Sequence, residues 1–178
     1  MLTEIKQVQE NATLLHTEVE VEQAIVNMAV SINLELKEAN PILLCVMNGG
    51  LVVAGKLLTQ LNFPLTIDAV NASRYGNQTN GSEIRWKQKP ATNLEGRVVL
   101  LVDDILDEGI TLAAIKQYCQ EQGAKKIYSA VLMDKKINKP KPLKADFVGL
   151  KVEDHYLYGY GMDYKGYLRN AAGIFACA

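Results

Sequence analysis

The chain has 178 residues, 48% hydrophobic and 22% charged, enough for one sizeable core and short for two. Nineteen Lys and Arg against 20 Asp and Glu leave a formal net charge of −1, which excludes general attraction to nucleic acid or an anionic membrane, so anion recognition must be local. No apolar run reaches the roughly 18 residues of a membrane span, and the first ten residues lack the basic-then-apolar pattern of a secretory signal, so a cytoplasmic protein is expected.

Thr17 with Glu20 three residues later has the pattern of a capping box. Val21, Ile25, Met28, Ile32 and Leu36 then mark one face of a helix running to about Ala39, where Asn40-Pro41 ends it. Ile42 to Met47 is an unbroken apolar run, read as a buried strand, leading through Asn48-Gly49-Gly50 into a helix with core positions Leu51, Ala54, Leu58 and Leu61. Leu65 to Val70 reads as the next strand, alternating Leu65, Ile67 and Ala69. Residues 72 to 96 are polar and glycine-bearing, with a short ribbon around Ile84 and Trp86, and a loop of that length is usually functional or mobile. Val98 to Val102 and Ile127 to Met133 are further core strands, and the tyrosine-rich tail from Asp146 reads as a subsidiary flap.

This βα succession predicts an α/β fold, a largely parallel sheet flanked by helices. A single domain over 1–178 is expected, with a core of about 40–150 and a small hood from about 1–16 and 151–178. Cys45, Cys119 and Cys177 are odd in number and far apart, which suits reduced packing residues rather than disulfides or metal ligands.

Residues 98 to 111 are the most informative, because an apolar strand ends in Asp103, Asp104 and Asp107 and a helix begins after Gly109 and Thr111. Ligands bind at the carboxyl ends of strands in open α/β sheets. A glycine turn, a threonine hydroxyl and the free N–H groups of a helix start make a phosphate cradle without needing a lysine. Carboxylates beside it suit sugar hydroxyls, a hydrated magnesium ion or a proton to be removed. A lone aspartate there would most simply cap the helix. Three acids with a glycine and a threonine favour a site for a phosphorylated sugar.

The segment resembles the phosphoribosyl-diphosphate motif of type I phosphoribosyltransferases: two acids, two apolar residues, Asp, a variable position, Gly, a variable position and Thr. The resemblance implies that the backbone of Asp107, Glu108, Gly109, Ile110 and Thr111 holds the 5′-phosphate and that Asp103 and Asp104 approach the ribose hydroxyls. Glu108 and Ile110 stand where Thr or Ser and Lys, Arg or Thr are often found, and Glu108 should point away from the phosphate.

Four further segments extend the resemblance over nearly the whole chain from about residue 40, in family order, toward the hypoxanthine-guanine phosphoribosyltransferases. Met47-Asn48-Gly49-Gly50 matches the pyrophosphate loop, usually Lys-Gly-Gly with a cis peptide before the first glycine, and Asn48 replaces the lysine. Ala72 to Thr79 resembles the catalytic loop that closes over the reacting centre. There Tyr75 matches the tyrosine and Arg74 replaces the usual serine, adding a cation for the pyrophosphate. Lys135 aligns with a lysine that donates to the purine O6. Asp154 to Arg169 resembles the purine hood: Tyr156 would stack on the base, the Leu157 backbone would read its N1 and N2 edge, Asp163 would help hold magnesium, and Arg169 would clamp pyrophosphate.

The resemblance implies purine salvage: transfer of a 5-phosphoribosyl group from its 1-diphosphate to N9 of hypoxanthine or guanine. Mg2+ would be the cofactor, with Asp103, Asp104 and Asp163 near it, and Asp107 the general base for N7. It also implies a homodimer or homotetramer, with neither nucleic acid nor membrane as partner. The alternatives are a regulatory protein that keeps phosphoribosyl-diphosphate binding, or a phosphoribosyltransferase for another base such as xanthine.

Overall fold

Two apolar runs dictate the layout, since Ile42–Val46 and Val99 to Val102 offer no solvent face and can only lie inside a sheet covered on both sides. The computed structural model describes residues 1–75 and 83–178, Tyr75 and Glu83 by backbone alone. In chain order the elements are α1 (Leu2–Asn11), β1 (Thr13–Thr17), α2 (Glu18–Leu36), β2 (Ile42–Val46), α3 (Leu51–Leu58), β3 (Thr66–Tyr75), β4 (Glu83–Gln88), β5 (Val98–Leu106), α4 (Ile110–Glu121), β6 (Lys126–Lys135), β7 (Phe147–Val152), β8 (Leu157–Tyr158) and β9 (Gly173–Ala176). A six-stranded sheet has the order β4-β3-β2-β5-β6-β7, parallel except for β4.

The period of two along each strand splits the core into two layers. Leu43, Cys45, Leu100, Val102, Ala130 and Leu132 share one cluster with α2 and α3 residues such as Ile25, Ile32 and Leu57. Their strand neighbours Leu44, Val46, Val99, Leu101 and Val131 share the other with Ile115 and Cys119 of α4. From β2 the chain crosses through α3 to β3 on one side, and from β5 through α4 to β6 on the other. The carboxyl ends of β2 and β5 therefore flank the crevice where such sheets bind ligands.

A second sheet, β1-β9-β8, is antiparallel and joins the amino-terminal segment to the tail. Its own cluster of Ile5, Tyr158 and Leu168, with Val8, Tyr164 and Phe175 against it, ties α1 to the tyrosine-rich segment. No helix among the described residues is long and apolar enough to cross a membrane.

Several sequence expectations are corrected. The capping box forms at Thr17 and Glu20, but α2 ends at Leu36, before Ala39. In α3 the buried residues are Val53, Ala54 and Leu57, whereas Leu51 is exposed, because the helix begins at Leu51 itself and turns its first residue outward. In β3, Val70 and Ala72 are buried and Ile67 is exposed, so the apolar alternation followed the outer face. β3 runs on to Tyr75 and pairs with β4, so much of the stretch read as loop is an antiparallel ribbon that places Ala72 opposite Trp86. The tail contributes β7 to the main sheet before the second sheet begins.

Candidate active site

β5 does not stop at Val102. It continues to Leu106, so Asp103 and Asp104 stand on the strand's last turn-free residues and only Asp107 lies beyond it. Ladder bonds to β6 persist through Leu106 opposite Asp134, which holds these acids more rigidly than a loop would. Asp104 is buried and Asp103 half-buried. Burial pushes both carboxyls above the usual range; the negative charge of Asp104 adds to this at Asp103, and a hydrogen bond from Asp103 with the nearby Arg169 opposes it at Asp104.

The turn that follows has no aspartate cap. Gly109 is the residue before α4, at φ +78, and no side chain caps the helix, so the first N–H groups of α4 are left for a ligand. A left-handed φ at that place is what glycine supplies at least cost. Glu108 leans aside onto Arg74 of β3 and, at 3.6 Å, Lys139. The Arg74 hydrogen bond is the main reason its carboxyl is held below the usual range. Two departures from the family pattern thus pair with each other.

From β2 the chain enters Asn48-Gly49-Gly50 through a cis Met47–Asn48 peptide, one residue earlier than the family pattern suggested. The glycines are required by contact. A Cβ on Gly49 would overlap the Asp104 carboxylate, and one on Gly50 the Val102 carbonyl oxygen. The loop is therefore pressed against the acids of β5.

Lys135 ends β6 with its side chain 10% exposed, donating to Asp107 Oδ2 at 2.9 Å and lying 3.7 Å from Asp154 Oδ1. From the connection between β8 and β9, Arg169 pairs with Asp163 at 2.6 Å and also donates to the Gly161 carbonyl. The second oxygen of Asp163 accepts the Gly166 N–H at 2.6 Å. Tyr156 is 56% exposed at the mouth, edge-on to Tyr164 with ring centres 5.7 Å apart.

These residues line one open cavity of about 530 Å³. Asn48, Gly49, Arg74, Asp103, Asp104, Asp107, Glu108, Gly109, Ile110, Thr111, Lys135, Tyr156, Leu157, Asp163 and Arg169 all face it. Among the sequence-predicted site residues, only the Tyr75 side chain lies outside the described residues, as do Gly76 to Thr79 of the proposed closing loop.

A model of the phosphoribosyl transferase domain matches residues 12–165. The chain belongs to that family. It is 32% identical to a hypoxanthine-guanine phosphoribosyltransferase of Bacillus subtilis over 158 residues, covering 88% of each chain. It is 28% identical to a hypoxanthine-guanine-xanthine phosphoribosyltransferase of Tritrichomonas foetus over 170 residues, 95% of this chain and 93% of that one. A solved hypoxanthine-guanine phosphoribosyltransferase of Bacillus anthracis superposes with a TM-score of 0.87 at 28% identity, covering 93% and 98%. A hypoxanthine phosphoribosyltransferase of Staphylococcus aureus shares the fold at a TM-score of 0.90 and 23% identity, over 96% and 94%.

Against that phosphoribosyltransferase framework, the cavity also contains residues that motif reading passed over. Asn71 and Ser73 of β3 and Lys87 of β4 line it, brought there by a ribbon whose polar composition resembled a surface loop. Gly161 packs so closely that a Cβ would strike the Gly49 carbonyl oxygen, fastening the second sheet to the pyrophosphate-type loop. Its signal in the sequence was the Gly-Tyr-Gly triplet of residues 159–161, whose two glycines both take φ +104.

Proposed function

We propose that this phosphoribosyltransferase acts in purine salvage, joining hypoxanthine or guanine to the phosphoribosyl group of 5-phosphoribosyl 1-diphosphate and releasing pyrophosphate. The observation that carries the reading is the 2.9 Å pair of Lys135 and Asp107 at the ends of adjacent strands. A 6-oxopurine presents O6, an acceptor, beside N7, whose proton must leave as N9 becomes substituted. A lysine donor and a carboxylate side by side complement that edge. Adenine offers an amino donor at position 6 and would leave the buried ammonium facing another donor. Relatives bearing hypoxanthine-guanine names over nine-tenths of the chain support the same substrate class.

In this scheme the 5′-phosphate lies on the N–H groups of residues 107–111, and Asn48, Gly49, Arg74 and Arg169 face the pyrophosphate. Tyr156 covers the base and the Leu157 backbone reads its far edge. The N9 lone pair forms the bond to C1 as the bond from C1 to the pyrophosphate oxygen breaks, and the N7 proton passes to Asp107. Closure of the segment carrying Tyr75 would keep water from competing for C1.

Asp103 and Asp104 also fit magnesium. These two carboxylates, one buried and one half-buried and both with raised proton affinity, repel each other, and a hard divalent cation that takes one or two carboxylates plus substrate oxygens relieves that cost. Asp163 would join as an acid already shared with Arg169 and the Gly166 N–H. The ion would neutralise charge on the departing pyrophosphate.

Exposed Val26, Val30 and Leu34 on α2 support self-association into a homodimer or homotetramer, which light scattering would measure. The deciding assay is pyrophosphate release with hypoxanthine, guanine, xanthine and adenine in the presence of sugar diphosphate and Mg2+. Release with the 6-oxopurines and little with adenine is expected, abolished by a chelator. Release with adenine alone, or with no base, would overturn the assignment.

A further inference from the structure

Lys141 lies in the connection from β6 to β7, between Pro140 and Pro142, and its side chain is only 14% exposed. An ammonium withdrawn from water needs an acceptor for each of its three protons. Lys141 Nζ has three: the Leu106 carbonyl oxygen at 2.7 Å, Asp134 Oδ1 at 2.7 Å and the Lys135 carbonyl oxygen at 2.5 Å. Both carbonyls carry the site. Leu106 is the last residue of β5 and its carbonyl belongs to the peptide on which Asp107 is mounted, whereas Lys135 is the last residue of β6. The β5–β6 ladder ends with Leu106 opposite Asp134, so past that rung Lys141 bridges the two strands.

The flanking prolines restrict how the connection can move. Pro142 also lies about a van der Waals contact from where a Cβ of Gly109 would sit, so the same connection packs against the phosphate turn.

We infer that Lys141 is a positioning residue that fixes the separation of Asp107 and Lys135, and through it the discrimination of 6-oxopurines from 6-aminopurines. The inference rests on the purine reading above. The backbones that carry Asp107 and Lys135 cannot move apart while both carbonyls are held on one ammonium. A pair built to match two atoms of one base edge gains its selectivity from that fixed spacing, and a displacement near 1 Å costs about 10²-fold in rate.

The test replaces Lys141 with Met, which keeps most of the length and removes the charge, and measures steady-state kinetics with hypoxanthine and adenine alongside wild type. The expected result is a fall on the order of 10²-fold in kcat/KM for hypoxanthine. KM for the sugar diphosphate should stay within about twofold and adenine turnover unchanged, so the hypoxanthine-to-adenine ratio collapses. In Lys141→Ala, added ethylamine should restore part of the hypoxanthine rate. A lysine that merely holds the fold would lower the melting temperature and affect both substrates together, without rescue; that result, or an unchanged ratio, overturns the inference. If K141M does not fold, Lys141→Gln carries the same ratio measurement, since it keeps a polar end but loses the charge and one of the three donors that make the bridge. Wild-type protein that releases no pyrophosphate with any 6-oxopurine would overturn the functional reading and this inference with it. An active wild type with unaltered K141M selectivity would overturn this inference alone.

Discussion

The phosphate turn and the hood meet at one cavity, but they are built by opposite means. The turn is the end of β5, whose residues Val99 to Val102 are fully buried and whose ladder to β6 continues up to the acids. The hood follows a path with Tyr160, Lys165 and Leu168 at positive φ, as are Gly159, Gly161 and Gly166 beside them. It is held by side chains of the amino-terminal half: Tyr160 donates to Glu22 at 2.5 Å, and Tyr164 and Lys165 reach Glu4 at 3.0 Å and 2.5 Å. Burial fixes the first region; the second has a buried base, Leu157 to Met162, but its outer part from Tyr164 to Tyr167 is held by hydrogen bonds near solvent, which belong to the less stable, more readily opened parts of a protein. Chemistry that must not move sits on the sheet, and the surface that admits the base sits on the part that can yield.

The largest expected effect lies on the sheet side. Asp107→Asn keeps an acceptor for Lys135 but no longer takes a proton, and turnover should fall on the order of 10²-fold or more with the fold intact. Near-wild-type turnover in a rapid-quench assay would remove Asp107 as the base. Next comes Gly161→Ala in the hood. The added Cβ meets the Gly49 carbonyl oxygen at a φ of +104, and strain of that kind costs about 1–3 kcal/mol. The melting temperature should drop by roughly 2–4 °C per kcal/mol, and KM for the base should rise more than KM for the sugar diphosphate. Gly55→Ala in α3 is the matched control, since nothing lies within 4 Å of its Cβ, and it should be neutral or stabilising. Equal destabilisation at both glycines would erase the distinction between the regions.

The same contrast explains what could be read from residues alone. Strands β2, β5 and β6 were legible because burial on both faces leaves a continuous apolar run, and the acid-rich junction after β5 stood out against it. The face of α3 was not, because Leu51, Val52 and Val53 are all apolar and only the helix start decides which of them turns inward. The ribbon of β3 and β4 was largely hidden, since one of its faces packs on α4 through Ile84 and Trp86 while the other presents Arg85 and Lys87 among polar neighbours. In the hood, order and spacing of motif residues gave the location of Tyr156, Asp163 and Arg169. Its links to Glu4 and Glu22 join residues more than 130 positions apart, a separation that no local pattern encodes.

A buried thiol offers a third way to sharpen the comparison. Burial pushes Cys119, in α4 behind the phosphate turn, from 9.0 to about 11. The unfolded chain therefore loses this proton first as pH rises above 9, the folded state binds more protons between 9 and 11, and stability falls with increasing pH across that window. The slope is about 1.4 kcal/mol per pH unit for one such group. Cys119→Ala should begin less stable at pH 8, from the lost packing, and then decline less steeply than wild type between pH 9 and 10.5. Urea midpoints at four pH values measure this, and parallel curves would show that the thiol is not sheltered as the sheet's burial requires.

The smallest effect probes an exposed ion pair on the sheet side of the cavity. Arg74 on the ribbon and Glu108 on the phosphate turn are each nearly two-fifths exposed, so their pairing is screened and weak compared with the buried contacts behind it. In the free protein Glu108 occupies the cation proposed to meet the pyrophosphate. Glu108→Gln should release Arg74 and lower KM for the sugar diphosphate by about twofold at low salt, with kcat unchanged, and the difference should vanish near 1 M salt, where the Debye length is about 3 Å. Arg74→Ala should raise the same KM, and in the double variant Glu108→Gln should no longer lower it. If Glu108→Gln instead weakens sugar diphosphate binding at every ionic strength, its side chain serves the ligand directly, and the turn would then depend on an exposed contact in the way the hood does.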